Sequence, residues 1–255
     1  MWSYPFKLKA YIFVMLLTVV ASPTAFSREK VTFSSPSFAP FYFPNESNFC
    51  QGVVVQVFDD IAAQLNLPYE FVSYPYARIL HSLKNKQLDI ALMFKNSDLL
   101  NYVDYIGPVS KSKVVVLTHN QQLITQYADL SKLNTIAVIR KANFEDKFDN
   151  DSSLNKVAVE SYAQAIMMFN LGRVDAVVGS VIGLDYQLRA QQLDVAMLNN
   201  AYVLGEKEWW LHVRKNLTAT LKEQLYSSVK SNYQTDLIYK AYLQYIAQCS
   251  ETAKN

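Results

Sequence analysis

Two aspartates occupy matching positions in two similar stretches of the sequence. Asp89 follows residues 82–88 and precedes an apolar run, and Asp175 follows residues 168–174 in the same way, 86 positions later. Two carboxyl groups facing each other across a cleft could serve as a general acid and a general base. Each aspartate, however, stands where a helix passes into a buried strand, so we expect both to be turn and strand-start residues.

The other reactive residue types do not form a pattern that supports catalysis. The three histidines, His81, His119 and His212, are far apart, and none lies four residues from another histidine or from a cysteine, so we predict no metal site. The sequence contains no Gly-x-Ser-x-Gly elbow, no phosphate-binding glycine loop and no Gly-x-Gly-x-x-Gly motif. We therefore predict that the chain is not an enzyme and needs no cofactor.

The matching stretches instead predict an architecture. A helix that passes through a short turn into an apolar strand is typical of an α/β unit with a parallel sheet. Because this unit occurs twice, we predict two similar lobes with a ligand cleft between them. Residue spacing predicts helices at 52–66, 76–86, 143–148, 162–171, 182–190, 218–232 and 235–248, and strands at 31–34, 69–72, 89–93, 113–118, 135–139, 156–159, 174–178 and 203–213.

The first 27 residues have the pattern of a cleaved secretory signal. Lys7 and Lys9 precede an apolar run at residues 10–21, and small residues lead to a cleavage position near Ser27. The run is shorter than the roughly 20 residues of a transmembrane helix, although a signal anchor is the alternative. We expect residues 1–27 to be removed and the remaining chain to be exported.

The charge of the chain limits the classes of partner, and its two cysteines predict a disulfide. The chain has 24 basic and 22 acidic residues, and two of the basic ones lie in the signal, so the exported part is neutral. A neutral surface gives no basic patch for nucleic acid or for a membrane. Cys50 and Cys249 are the only cysteines, and in an oxidising compartment they predict a disulfide, with two free thiols as the alternative.

Several short sequence segments, taken in their order along the chain, resemble the periplasmic solute-binding proteins of ABC importers. The resemblance is strongest to the bacterial extracellular family 3, which binds polar amino acids and related compounds. The resemblance covers essentially all of the chain after the signal. It rests on residues 37–41, 52–62, 76–80, 103–105, 130–138, 165–179 and 214–216, and on the C-terminal helices.

This resemblance implies a two-lobed, type II periplasmic-binding-protein-like α/β fold, with two parallel or mixed sheets flanked by helices. The first lobe would comprise residues 28–117 and 206–255, and the second lobe residues 118–205. Closure about a hinge would trap the ligand. The resemblance also implies that Phe38 and Tyr76 hold the ligand between aromatic faces, with Phe41 beside them in the first loop.

Two departures from the family pattern concern the ligand. The arginine that usually holds an α-carboxylate is replaced by Leu99, and the aspartate that usually meets the amino group is replaced by Ser180. We therefore expect a ligand other than a standard α-amino acid. The expected hydrogen-bonding residues are Ser180, Asn96 and Asn143, and Lys95, Arg140 or Arg78 could supply a positive charge.

The sequence predicts an exported, periplasmic, monomeric protein that captures a small polar or aromatic-stacked ligand. Its partners would be the membrane subunits of an ABC importer or a membrane sensor, and not nucleic acid. One alternative is a prephenate-like dehydratase on the same scaffold, with Glu160 or Glu206 as the acid. Another is a degenerate lobe pair that acts only as an interaction or sensor module.

Overall fold

The structure is a computed structural model that describes residues 1–2, 30–44, 46, 48–119 and 123–249. The predicted signal segment lies outside the described residues, apart from the first two. No helix in the described part of the chain is both long enough and apolar enough to cross a membrane.

The eight strands of the described residues form one mixed sheet in the order β2-β1-β3-β8-β4-β7-β5-β6. Parallel pairing joins β1 to β2 and β3, and joins β5 to β6 and β7, while β4 and β8 run antiparallel to each other and to their neighbours. The two predicted sheets are therefore continuous through β4 and β8. The strands are β1 Val31–Ser34, β2 Tyr69–Phe71, β3 Ile90–Phe94, β4 Val103–Thr118, β5 Ile136–Ile139, β6 Lys156–Val159, β7 Ala176–Ser180 and β8 Tyr202–Arg214.

In the described ranges, seven α-helices flank the sheet, close to the predicted positions. They are α1 Val53–Gln64, α2 Tyr76–Lys84, α3 Asp146–Asn150, α4 Tyr162–Asn170, α5 Val181–Ala190, α6 Ala219–Asn232 and α7 Leu237–Gln248. Side-chain caps fix several helix starts: the hydroxyl groups of Ser161, Ser180 and Thr218 each accept a hydrogen bond from a backbone amide in the first turn. Helix α3 begins later than predicted because Glu145 caps it, accepting from the amide of Phe148.

The structure divides into two lobes joined by β4 and β8. We refer to β1–β3 with α1, α2, α6 and α7 as the first lobe, and to β5–β7 with α3–α5 as the second lobe. The boundaries at 117/118 and 205/206 stay a prediction, since β4 and β8 run without a break through both lobes.

Strand β4 is much longer than predicted. The sequence predicted only its second half because Gly107 and Pro108 usually interrupt strands. In the structure both residues lie where the pairing of β4 with β8 shifts register, between Ile106 and Ser110. A proline at such an irregularity removes no regular ladder hydrogen bond, so the strand continues through it.

The repeated aspartates and the cysteines have structural roles. Asp175 accepts a hydrogen bond of 3.0 Å from the backbone amide of Thr135, just before β5. Asp89 accepts hydrogen bonds from the amide and hydroxyl of Thr32 and pairs with Arg214 at 2.8 Å, so it fastens β3 to its neighbours. The predicted disulfide is confirmed: Cys50 and Cys249, 199 positions apart, are bonded. The bond fastens the first loop of the chain to the end of α7.

Candidate ligand-binding cleft

The cleft between the lobes is almost completely filled by its own side chains. The space that remains is about 20 Å³, enough for roughly one water molecule and far below the ~300–1,000 Å³ of typical ligand pockets. Seven of the eleven residues around it are aromatic, and none is charged. The lining residues are Pro36, Phe38, Phe41, Tyr76, Phe94, Ile139, Ala142, Phe144, Tyr162, Ser180 and Trp209.

Tyr162 of the second lobe fills the centre of this cleft. Its side chain is buried, and its ring lies 5.3 Å from the ring of Phe38 in the first lobe, edge to face. The Tyr162 hydroxyl accepts a hydrogen bond of 3.0 Å from the amide of Ser180. Glycines at 179 and 183 make room for the ring, because a Cβ added at either Gly179 or Gly183 would lie 2.3 Å from a ring carbon.

Tyr76 faces Tyr162 from the first lobe. It is the first residue of α2 and is buried, and burial raises the pKa of its phenol, so the group is neutral. The side-chain amide of Asn96 reaches the Tyr76 hydroxyl and the backbone carbonyl of Lys141, each at 3.5 Å. Because Lys141 belongs to the second lobe, Asn96 links the two sides of the cleft.

Sequence reasoning missed Tyr162, although the internal repeat contains a signal for it. The repeat relates residues 86 positions apart, and Tyr162 stands 86 positions after Tyr76. Each tyrosine opens the helix that precedes the repeated aspartate, so the two lobes present equivalent rings to one cleft. Trp209, Phe94 and Phe144 were also missed, and their spacing alone gives no indication of a common site.

The structure brings together some of the predicted site residues and not others. Phe38, Phe41, Tyr76 and Ser180 line the cleft, and Asn96 lies directly behind Tyr76. Leu99, which the resemblance places where the family usually has an arginine, is fully buried.

The charged candidates do not line the cleft. The ammonium of Lys95 lies 4.1 Å from the ring centre of Trp210, and Arg140 forms an ion pair with Glu160, with both side chains about half exposed. Asn143 is absent from the cleft wall, which its neighbours Ala142 and Phe144 supply instead. That Lys95, Arg140 and Asn143 contact a ligand stays a prediction, because in the closed cleft their side chains have other partners or lie outside the wall.

His212 lies next to Asn96, outside the cleft wall. It is fully buried, its Nε2 accepts from the amide of Asn96 at 3.3 Å, and its Nδ1 donates to the carbonyl of Trp210 at 3.0 Å. Burial lowers the pKa of His212 to about 4, so its ring is neutral near pH 7. The imidazole thus holds the Asn96 backbone in place without adding charge.

We predict that this histidine makes folding stability fall as the pH is lowered. Between the ordinary pKa of 6.5 and the folded value of about 4, the unfolded chain binds a proton that the folded chain does not. The contribution of neutral His212 to the free energy of unfolding is fully present above pH 6.5 and should decline by about 3 kcal/mol towards pH 4. Urea unfolding of wild type and of His212→Gln across this range measures the effect.

The matched control for that experiment is His81→Gln, since His81 is exposed. Burial raises the pKa of Asp149 to about 6, so this carboxyl group makes folding stability fall as the pH rises, the opposite of the effect of His212. The slopes of the free energy of unfolding against pH must therefore be compared between variants. The His212→Gln variant should lose the decline and the control should keep it. Equal slopes in all three proteins would contradict the buried neutral state of His212.

A second set of contacts joins the lobes beside the cleft, between α5 and α7. The Tyr242 hydroxyl donates to the carboxylate of Asp185, linking the two helices. Phe43 stacks on Tyr245 at 4.7 Å, and the ring of Tyr186 packs against both. We call this contact the α5–α7 seam, and it holds the lobes together independently of the cleft.

No group of three or more His, Cys, Asp or Glu side chains within the described part of the chain is arranged to hold an ion.

Comparison of the sequence with known proteins agrees with the resemblance found from the sequence segments. The sequence pattern of the bacterial extracellular solute-binding proteins, family 3, matches residues 31–248. The chain is 26% identical over 149 residues to the arginine-binding periplasmic protein of Mannheimia haemolytica, a match that spans 57% of this chain and 60% of that protein.

Solved structures show the same fold. The VFT2 domain of Bordetella pertussis BvgS is 18% identical with a TM-score of 0.67, covering 84% of this chain and 92% of that domain. An ancestral amino acid-binding protein, a precursor of cyclohexadienyl dehydratase, is 19% identical with a TM-score of 0.65, covering 85% and 94%. These likenesses confirm the predicted two-lobed α/β architecture.

Proposed function

Because the chain belongs to the bacterial extracellular solute-binding proteins, family 3, we propose that its cleft binds a small, uncharged aromatic or apolar solute. The observation that carries this proposal is the cleft wall, which is largely aromatic and has no charged side chain. A carboxylate or guanidinium buried there would lose its hydration without gaining an ionic partner, which is unfavourable. The solute therefore differs from the arginine named for one relative.

Solute entry requires the lobes to move apart, because the closed cleft has room for little more than one water. Strands β4 and β8 are the connections about which such a movement would occur. The ring of the solute would then lie among the aromatic side chains of Phe38, Tyr76 and Tyr162. We propose that the chain acts in the periplasm after signal cleavage and delivers its solute to an importer.

Tyr76→Ala should weaken binding of the solute by about 1–3 kcal/mol, because the variant loses one buried aromatic contact. Native mass spectrometry of the purified protein would identify a retained solute, and titration calorimetry with that solute would give the affinity of each variant. The matched control is Tyr226→Ala, which removes an exposed ring. An unchanged affinity in Tyr76→Ala, or a strong preference for charged amino acids, would contradict the proposal.

The filled cleft favours a second candidate, a sensor module that remains closed without any solute. Tyr162 already occupies the space between the aromatic walls, and the α5–α7 seam adds contacts between the lobes. In this case the closed lobes themselves would be presented to a membrane sensor. Small-angle scattering separates the candidates: a solute-binding cleft should open when emptied, whereas a constitutively closed module should keep one radius of gyration.

The dehydratase alternative receives no support from the cleft. Glu160 is ion-paired with Arg140 in an exposed position, and Glu206 is exposed on β8. Neither carboxyl group is part of the cleft wall, so neither is placed to protonate a leaving group bound there.

A further inference from the structure

A separate cavity lies beside β4, at the point where β7 ends. Its volume is about 360 Å³, within the range of small-molecule sites and much larger than the space in the cleft. The first turn of α5, with Val181 and Ile182, forms one wall, and the start of α7, with Asp236 and Tyr239, forms another. We call it the hinge-edge cavity, and both lobes contribute to it.

The wall contributed by α7 is fastened to β4. The backbone amide of Lys111 donates to the carbonyl of Thr235 at 2.8 Å, and the hydroxyl of Ser110 donates to the same carbonyl at 3.1 Å. The amide of Ile238 in turn donates to the Ser110 hydroxyl at 3.2 Å. Three hydrogen bonds therefore fix the start of α7 relative to β4, so this wall is rigid.

Two opposite charges at the hinge-edge cavity have no ionic partner within the described part of the chain. Lys111 pairs with Glu208 at 3.5 Å, and Asp236 pairs with a lysine of its own helix at 3.1 Å. Lys113 and Glu206, by contrast, form no ion pair with any described residue. They stand directly opposite each other on β4 and β8, a relation that places Cβ atoms about 4.5–5.5 Å apart.

We propose that the hinge-edge cavity is a second ligand site, for a zwitterionic α-amino acid with an apolar or aromatic side chain. The carboxylate of the ligand would meet the ammonium of Lys113, and its ammonium would meet the carboxylate of Glu206. Neighbouring charges of opposite sign on the ligand match the neighbouring charges on the two strands. The ligand side chain would pack on Val181 and the half-exposed ring of Tyr239.

Such a ligand would contact both lobes next to the strands that join them. Its binding would therefore favour the lobe arrangement in which the start of α5 and the start of α7 lie as they do here. This site is distinct from the aromatic cleft and is independent of the function proposed for the cleft.

Titration calorimetry with L-phenylalanine as the probe tests the site. Lys113→Met and Glu206→Gln should each weaken binding by at least about tenfold, the scale of one charge-assisted hydrogen bond. Two single-charge analogues test the same contacts from the ligand side: L-phenylalanine methyl ester lacks the carboxylate, and N-acetyl-L-phenylalanine lacks the ammonium. Each analogue should bind wild type more weakly by a similar factor.

The matched control variants are Lys30→Met and Glu70→Gln, which remove an exposed ion pair on the first lobe and should leave binding unchanged. No binding of L-phenylalanine to wild type would overturn the proposal. Binding that survives Lys113→Met and Glu206→Gln but disappears in Tyr76→Ala would also overturn it, since the probe would then occupy the cleft. Loss in the hinge-edge variants with retained solute binding in the cleft would support it.

Discussion

Replacement of both cysteines, Cys50→Ser with Cys249→Ser, should lower the free energy of unfolding by about 5 kcal/mol. The disulfide joins residues 199 positions apart, and the chain-entropy model assigns an effect of this size to a loop of about 200 residues. Urea unfolding of oxidised wild type and of the double variant measures the difference. Wild type treated with a reductant provides the matched control, because it has the same sequence without the bond.

The reduced wild type and the double variant should unfold at the same urea concentration. A difference of less than about 1 kcal/mol between oxidised and reduced protein would contradict the prediction, since ordinary surface changes have effects of that size. Removal of the disulfide should also affect the cleft. The bond fastens α7 to the loop that carries Phe38 and Phe41, so its removal should increase hydrogen exchange in that loop.

The sequence predicted the features of this fold that depend on local patterns. Helix and strand periodicity indicated the order of the elements, and the repeated stretches that contain Asp89 and Asp175 indicated two lobes. The disulfide also followed from the sequence, because two cysteines in a chain that is predicted to be exported can form only one intramolecular bond.

The composition of the cleft could be predicted only in part. Lys95 was a candidate for binding an anion, but strand β3 pairs with β8 and brings Trp210 next to it, so the ammonium lies over that ring. This pairing joins residues more than 100 positions apart. No local pattern around Lys95 indicates it, and the same limitation applies to Trp209 in the cleft wall.

Whether a side chain fills the cleft depends on which residues lie next to it in the folded protein, and these are not its neighbours in the sequence. A tyrosine at the start of a helix is an ordinary core residue unless small residues lie where its ring must pass. Gly179 and Gly183 are such residues, and they come from the next strand and the next helix. The repeat relates Tyr162 to Tyr76, but the close approach to these glycines decides that the ring occupies the cleft.

Tyr162→Ala should lower the free energy of unfolding by about 3–5 kcal/mol, the usual effect of removing a buried aromatic ring. Tyr162→Phe should have a smaller effect, about 1–3 kcal/mol, because only the acceptor for the Ser180 amide is lost. Urea unfolding of the two variants beside wild type separates the contribution of the ring from that of the hydroxyl.

The Ala variant should also gain a binding site for p-cresol, which has the shape and the hydroxyl of the missing side chain. An apolar cavity created by truncation can take up a small ring, and a ligand that binds only the folded protein raises its stability. The melting temperature of Tyr162→Ala should therefore rise with added p-cresol by more than the melting temperatures of wild type and of Tyr226→Ala. If Tyr162→Ala were as stable as wild type and did not respond to p-cresol, Tyr162 could not be the residue that fills the cleft. A larger response of Tyr162→Ala would mean that the protein supplies from its own chain the aromatic ring around which its lobes close.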